Sequence, residues 1–264
     1  MSVKSLAPAL GLVCALVAGC ATQPASDTEL QPRTATSGEE SQARARARIH
    51  TELAASYYQL GNMGVALEEV REALQSDSTY GPAHNAAGLV YGALKRDSQA
   101  EASFQRALSI NALDSDANNN YGEFLCARKR EQESIRYFMT AVENPLYQRP
   151  DRSYVNAGIC ARRQGDVGAA ENYFRQALRV RPNQPQALYN LAELEYEGRK
   201  YDAARDHVDL LMRVAQPNAE ALWLAVRIER KRGDAASAAS YAQQLQKNFP
   251  GSKEARALSA GQFE

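Results

Sequence analysis

Cysteine and histidine are the side chains best suited to nucleophilic, redox or metal chemistry, and the 264-residue chain contains four cysteines and three histidines. His50, His84 and His207 lie far apart in the sequence, which favours scattered surface residues over a metal site. The sequence has no GxSxG or HExxH motif, no glycine-rich phosphate loop and no pair of CxxC motifs. We therefore expect a protein that is not an enzyme and that carries no metal or cofactor.

The charges are balanced, with 31 basic and 31 acidic side chains. This balance gives no general reason to expect nucleic acid as a partner, and nothing indicates a small-molecule substrate. Carboxylates on helices pair mostly with Lys and Arg on solvated faces.

The N-terminus predicts a signal peptide over residues 1–19. One basic residue, Lys4, precedes an apolar stretch from Leu6 to Gly19, which is too short and too interrupted to be a membrane-spanning helix. The stretch ends in Val17-Ala18-Gly19-Cys20, which resembles a bacterial lipobox. The alternative is an ordinary secretory signal that happens to contain a cysteine.

The lipobox predicts that Cys20 becomes the N-terminus and carries a covalent acyl or diacylglyceryl lipid, a stable membrane anchor. Ala21 follows, rather than the aspartate that tends to hold lipoproteins in the inner membrane of enteric bacteria, which favours the periplasmic face of the outer membrane. Residues 20–43 are rich in Thr, Ser, Pro, Gln and Glu, and they predict a flexible tether. The folded domain is expected over residues 44–264.

A 34-residue period runs from Ala47 to Ser252, with small or apolar side chains at fixed offsets. Offset 8 carries Ala54, Gly88, Gly122, Gly158, Ala192 and Val226, and offset 24 carries Val70, Phe104, Phe138, Phe174, Val208 and Ala242. The pattern resembles the tetratricopeptide repeat and predicts an all-α superhelical solenoid of six helix pairs. The predicted units are 47–80, 81–114, 115–150, 151–184, 185–218 and 219–252, followed by a short C-terminal cap.

The offsets have physical causes. Offset 8 on the first helix is expected to face offset 20 on the second where the helices cross closely, so both positions are small. Gly61, Gly165 and Gly233 fill offset 15, where a left-handed residue ends the first helix. One linker, residues 143–150, is two residues longer than the others. It is either a tolerated insertion or a contact loop that presents Leu146 and Tyr147.

Cys126 and Cys160 remain after Cys14 leaves with the signal peptide and Cys20 is acylated. Both lie late in the first helices of neighbouring units, which run side by side about 8–10 Å apart. In an oxidising periplasm they form either a disulfide or two buried thiols that act as small apolar side chains.

The first helices line the concave face of such an array, and this surface is the candidate binding site. Offsets 2, 5, 9, 12 and 13 are expected to point into it. The predicted partner-binding residues are Tyr58, Asn85, Leu89, Asn119, Glu123, Val155, Ile159, Arg163, Tyr189 and Tyr196. The apolar ones could instead pack between adjacent first helices. The asparagines at offset 6, Asn120, Asn156 and Asn190, are expected to make structural hydrogen bonds.

Three stretches occur in a characteristic order: NNYGEFLC (119–126), NPLY (144–147) and NAGIC (156–160). Together with the lipobox, the six units and the single insertion, they resemble the type IV pilus biogenesis and stability lipoproteins, the PilF/PilW pilotin family. Two residues depart from the family pattern. Glu123 stands where an aromatic residue is common, and Val226 replaces a small residue.

The resemblance implies a pilotin, a lipid-anchored outer-membrane protein that helps secretin subunits reach the outer membrane and multimerise. The implied partner is the secretin of the type IV pilus system. The alternatives are a repeat lipoprotein that scaffolds outer-membrane protein assembly or regulates cell-wall enzymes, and a regulatory subunit of a periplasmic enzyme.

Overall fold

The structure is a computed structural model, and it describes residues 40–263. Within this range every regular element is an α-helix, and thirteen helices follow one another through short turns. Their bounds are α1 (Gln42–Gln59), α2 (Met63–Ser76), α3 (Gly81–Ala93), α4 (Asp97–Ile110), α5 (Ser115–Ala127), α6 (Glu131–Glu143), α7 (Pro150–Gln164), α8 (Val167–Val180), α9 (Pro185–Glu197), α10 (Tyr201–Val214), α11 (Ala219–Arg232), α12 (Ala235–Asn248) and α13 (Lys253–Ser259).

Helices α1 to α12 form six consecutive pairs, and α13 follows the last pair. Each first helix also packs against the first helix of the next pair, so that α1, α3, α5, α7, α9 and α11 form one continuous row. A single pair cannot bury its apolar side by itself, and the neighbouring pairs bury it when the pairs stack. The described residues thus confirm the predicted all-α superhelical solenoid.

Each first helix ends at one residue in the left-handed region of backbone space. Glycine fills this place in three pairs, and a lysine or arginine fills it in the other three, as the 34-residue period predicts. The left-handed conformation costs a non-glycine residue roughly 1 kcal/mol or more, so the fold imposes this turn even without glycine. The six residues are Gly61, Lys95, Lys129, Gly165, Arg199 and Gly233, with φ between 58° and 87°.

The glycines at offset 8 lie against the phenylalanine rings at offset 24. A Cβ atom added to any of these glycines would lie 2.5–2.6 Å from the facing ring, well inside van der Waals contact. The small residue at offset 8 therefore makes room for the ring at offset 24 in these pairs, a contact that the sequence analysis did not predict. The three contacts join Gly88 to Phe104, Gly122 to Phe138 and Gly158 to Phe174.

In the other pairs, different residues at offsets 8 and 24 have a similar combined side-chain volume. Alanine at offset 8 accompanies valine at offset 24 in the first and fifth pairs. In the sixth pair Val226 accompanies Ala242, which explains how a larger residue is tolerated at a position that is small elsewhere.

The solenoid begins slightly earlier than the predicted boundary at residue 44. Helix α1 starts at Gln42 because the side chain of Ser41 accepts a hydrogen bond from the backbone N–H of Arg44, 3.1 Å away. At the other end, Ala255 of α13 packs against Leu222 and Leu245 and covers the last pair.

The predicted signal peptide, the lipid site Cys20 and most of the predicted tether lie outside the described residues. Within residues 40–263, no helix has both the length and the apolar character needed to cross a membrane.

Candidate functional site

The centre of the concave face is a polar network around the carboxylate of Glu123 on α5. Its Oε1 atom accepts hydrogen bonds from Asn119 Nδ2 at 2.7 Å, Arg152 Nη2 at 2.6 Å and Asn156 Nδ2 at 2.7 Å. Arg152 and Asn156 belong to α7, so one carboxylate connects two neighbouring first helices. This network supplies the acidic side chain of Glu123 with hydrogen-bond donors from both helices.

Asparagine amides extend the same network to the neighbouring helices. Asn119 Oδ1 accepts hydrogen bonds from Ser153 Oγ at 2.9 Å and Asn156 Nδ2 at 3.1 Å, and Asn120 Nδ2 donates to Asn85 Oδ1 at 3.2 Å. These contacts connect α3, α5 and α7. A hydrogen-bond network that spans neighbouring helices helps to fix their relative positions.

Asn119 and Val155 are not available to a partner, because their exposed fractions are 0% and 1%. Val155 packs in a cluster with Ala177 and Ala187, under the next helix pair. The prediction that Asn119 and Val155 line the binding surface was wrong. The offset gives the direction of a side chain, but it does not say how deeply the following helix covers it.

Two predicted residues lie at the N-terminal end of the concave face. Tyr58 is half-buried against the core that includes Ala54 and Val70, and Leu89 is half-buried against the core that includes Phe104. Each therefore contributes both to packing between units and to the surface.

Ile159 and Arg163 follow on α7. Ile159 is half-buried between the fourth and fifth pairs, where it lines a cavity of about 440 Å³ together with Tyr189 and the 215–218 loop. Arg163 is exposed, and its Nη1 atom lies 4.0 Å from Cys126 Sγ.

Cys126 and Cys160 are joined as a disulfide in the structure, with their Cα atoms 5.9 Å apart. The bridge connects α5 to α7 and is buried in a cluster with Phe138 and Ala157. The bridge connects the same two helices, α5 and α7, that the Glu123 network connects. Both covalent and polar contacts therefore hold the third and fourth units together.

The C-terminal half of the concave face is aromatic and charged. Tyr189 donates its hydroxyl hydrogen to Glu193 at 2.9 Å, and burial raises the pKa of this phenol. Arg162 of α7 donates to Glu193 at 2.7 Å and to Glu197 at 2.6 Å. The guanidinium carbon of Arg227 lies 4.8 Å from the ring centre of Tyr196, a distance typical of a cation–π contact.

The longer linker between the third and fourth units is fixed at its base and exposed at its tip. Asn144 Nδ2 donates to Ser115 Oγ at 3.1 Å, and Arg149 pairs with Asp116 at 3.0 Å. Leu146 is 80% exposed, whereas Tyr147 is half-buried and burial raises the pKa of its phenol.

Sequence reasoning missed two elements of this surface. Arg152 occupies offset 2 of the fourth unit, so the register could have identified it as a residue of the concave face. Phe263 lies beyond the repeats, and no periodic signal indicates that its ring reaches Trp223.

Sequence profiles of the tetratricopeptide repeat match residues 81–112, 114–183, 156–213 and 220–252. The helix pairs and their continuous inner surface define a tetratricopeptide-repeat protein, a class that presents extended concave surfaces for binding. Within residues 40–263, no group of three or more His, Cys, Asp or Glu side chains is placed to hold a metal ion.

The chain is similar to the type IV pilus assembly protein PilF of Pseudomonas aeruginosa, with 32% identity over 205 residues, covering 78% of this chain and 81% of that protein. A solved structure of PilW, a type IV pilus biogenesis factor, is 34% identical with a TM-score of 0.72, covering 80% of this chain and 97% of that chain. A structure of Pseudomonas aeruginosa PilF is 30% identical with a TM-score of 0.74, covering 83% and 99%. This chain belongs to the PilF/PilW family of type IV pilus biogenesis proteins.

Proposed function

We propose that this protein is a pilotin: a lipid-anchored, non-enzymatic outer-membrane protein that binds the secretin of a type IV pilus system through its concave face. It promotes delivery of secretin subunits to the outer membrane and their multimerisation there. The observation that carries this proposal is the similarity to PilF over 78% of the chain.

The anchor and the repeats supply different parts of this function. A lipid on Cys20 restricts the protein to the membrane surface, and residues 20–43 give the folded domain some reach. Tethering raises the local concentration of the binding surface around secretin subunits at the membrane. The repeats supply the recognition surface.

The concave face is suited to binding a protein segment rather than to catalysis. Its centre is held by the Glu123 network and the Cys126–Cys160 bridge, so it is pre-organised before a partner arrives. Half-buried aromatic side chains lie beyond this centre, at Tyr58 on one side and at Tyr189 and Tyr196 on the other. Aromatic residues of this kind are favoured at interaction hot spots.

Deletion of the gene tests the proposal. We expect secretin multimers to fall in the outer-membrane fraction, and pilus-dependent twitching motility to be lost, with both restored by the parent gene. Intact, correctly localised secretin rings in the deletion strain would contradict it. Normal secretin together with defects in other outer-membrane proteins or in the cell wall would favour a general repeat scaffold instead.

A further inference from the structure

Phe263 lies beyond the last helix and packs onto the concave side of α11. Its ring centre is 5.5 Å from that of Trp223, with the ring planes at 28°, and the guanidinium carbon of Arg230 lies 3.7 Å from the centre of the Phe263 ring. The Phe263 ring thus contacts both an indole and a cation, two favourable partners for an aromatic ring.

A sharp turn after α13 brings Phe263 to this place. Gly261 has a φ of 68°, its N–H donates to the carbonyl of Leu258 at 3.1 Å, and the N–H of Gln262 donates to the carbonyl of Ala257 at 3.0 Å. This helix-ending turn redirects the chain towards α11.

Cations lie on one side of Trp223 and Arg227, next to Phe263, whereas Glu193, Glu220 and Glu254 line the cleft on the other side. Arg227, Arg230 and Lys231 line a cleft of about 860 Å³ next to Phe263, and none of the described residues that line it is a carboxylate. Their neighbour Arg232 is different, because it pairs with Asp202 at 2.8 Å and with Glu229 at 2.7 Å.

One of these cations is also incompletely satisfied. The Nε atom of Arg227 is buried and has no hydrogen-bond partner among the described residues. A buried donor without a partner is unfavourable, and an acceptor supplied from outside would relieve this cost. An anionic group is the strongest such acceptor for a guanidinium.

The cleft has room for additional atoms because its other wall is made of small side chains. Helix α12 contributes Ala235, Ala238, Ala239 and Ala242 to this wall. The last pair therefore leaves a space that the described part of the chain does not fill.

We propose that Trp223, Arg227 and Arg230 form a docking site for an acidic protein segment with an aromatic side chain, and that Phe263 occupies the aromatic part of this site in the free protein. This inference rests on the proposed partner-binding role of the concave face and specifies the chemistry of the partner segment. The tethered ring competes with an incoming one at an effective concentration on the order of millimolar.

Trp223 is the only tryptophan of the chain, so intrinsic fluorescence reports directly on this site. The full chain in detergent is compared with the Phe263→Ala variant, and Phe263→Tyr serves as the matched control that retains an aromatic ring. The probe is the pentapeptide Glu-Glu-Gln-Phe-Glu. One control peptide has alanine in place of phenylalanine, and the other has lysine in place of every glutamate.

We expect Phe263→Ala to shift the Trp223 emission to longer wavelength, and titration with the acidic phenylalanine peptide to reverse this shift. If Phe263 occupies the site nine-tenths of the time, its removal tightens the apparent Kd about tenfold. The Phe263→Tyr variant should bind like the parent, and adding Arg230→Gln to Phe263→Ala should abolish binding.

Equal binding of the control peptides, or an unchanged Kd in Phe263→Ala, would overturn the proposal. A lower melting temperature of Phe263→Ala without a change in peptide affinity would show that the tail only caps the solenoid. The titration contains no secretin, so its outcome is independent of the test of the pilotin function.

Discussion

Gly122 and Phe138 form a matched pair: a Cβ atom on the glycine would lie 2.6 Å from the phenylalanine ring. The first helix of the third unit can approach its partner because one residue has no side chain and the other fills the space. The same relationship recurs in the units on either side. Steric matching within each pair is therefore a main determinant of the solenoid.

Gly122→Ala is predicted to destabilise the protein by about 1–3 kcal/mol, because the added methyl group overpacks the contact with Phe138. Urea unfolding followed by circular dichroism measures the change. Gly64→Ala is the control, since a Cβ atom there has no heavy atom within 4 Å and Gly64 lies inside α2. Because Gly64 lies in the first turn of the helix, this substitution should be neutral or slightly stabilising.

Combining Gly122→Ala with Phe138→Val tests whether a smaller residue at position 138 compensates for the added methyl group at position 122. The double variant reproduces the alanine and valine found at these offsets in the fifth unit. We expect it to lose less stability than the sum of the two single variants, because residues in contact couple energetically. Additive losses would mean that the two side chains do not constrain each other.

The disulfide gives a second prediction. Alkylation of unreduced mature protein in denaturant should label neither Cys126 nor Cys160, and reduction should make both reactive, as measured by intact mass. Removing the bridge, which spans 34 residues, should lower the free energy of unfolding by about 3–4 kcal/mol in the chain-entropy account. Two labelled thiols before reduction would contradict the presence of the disulfide.

The fold was predictable from the sequence because helix pairing is periodic. Small residues at offset 8 and left-handed positions such as Gly165 and Lys129 recur with the repeat, so six copies indicate one structure. The identity of an individual side-chain partner is harder to predict. Glu123 binds Arg152, 29 residues away, and no pattern in the sequence identifies that pair.

For Val155 the sequence left two alternatives open, a place on the binding surface or packing between adjacent first helices, and the structure shows the packing. The repeat fixes the direction in which offset 5 points, but the depth of cover depends on how the following pair packs. Phe263 lies outside the period altogether, and its position depends on a turn after α13. Tertiary packing, rather than local propensity, decides both cases.

The stability of the fifth unit should depend on pH through His207. Its Nδ1 atom lies 2.8 Å from a carboxylate oxygen of the buried Glu195, and this hydrogen bond raises the pKa of His207 while burial and Arg175 oppose the rise. The raised pKa means that the folded state favours the charged imidazole. The stabilisation is therefore complete below the unfolded pKa of about 6.5, and it is lost as pH rises through the higher folded value.

Thermal melts of the parent and of His207→Gln measure this effect. The difference in melting temperature should be larger at about pH 5.5 than at about pH 8.5. His84→Gln is the control, because the His84 ring bonds to the backbone carbonyl of Ser78 and pairs with no carboxylate in residues 40–263. A difference for His207→Gln that stays constant with pH would contradict the assigned role of the pair.

Lipidation gives a fourth prediction, for residues outside the described range. Cys20→Ser should abolish lipid attachment and release the protein from the outer-membrane fraction, because the lipid on Cys20 is the proposed membrane anchor. Metabolic labelling with a fatty acid and fractionation of the cell envelope measure both effects. Continued labelling or unchanged fractionation of the variant would show that the anchor lies elsewhere.

Binding of the secretin by the concave face is the central claim, and a pull-down with charge-reversal variants tests it most directly. Arg163 on α7 and Arg179 on α8 are both exposed, but only Arg163 belongs to the concave face. Arg163→Glu, alone and together with Tyr196→Ala, is compared with Arg179→Glu, and circular dichroism verifies the fold of each variant. We predict that the concave-face variants capture markedly less secretin from detergent-solubilised envelopes, whereas Arg179→Glu captures as much as the parent. Equal capture by all folded variants would contradict the claim.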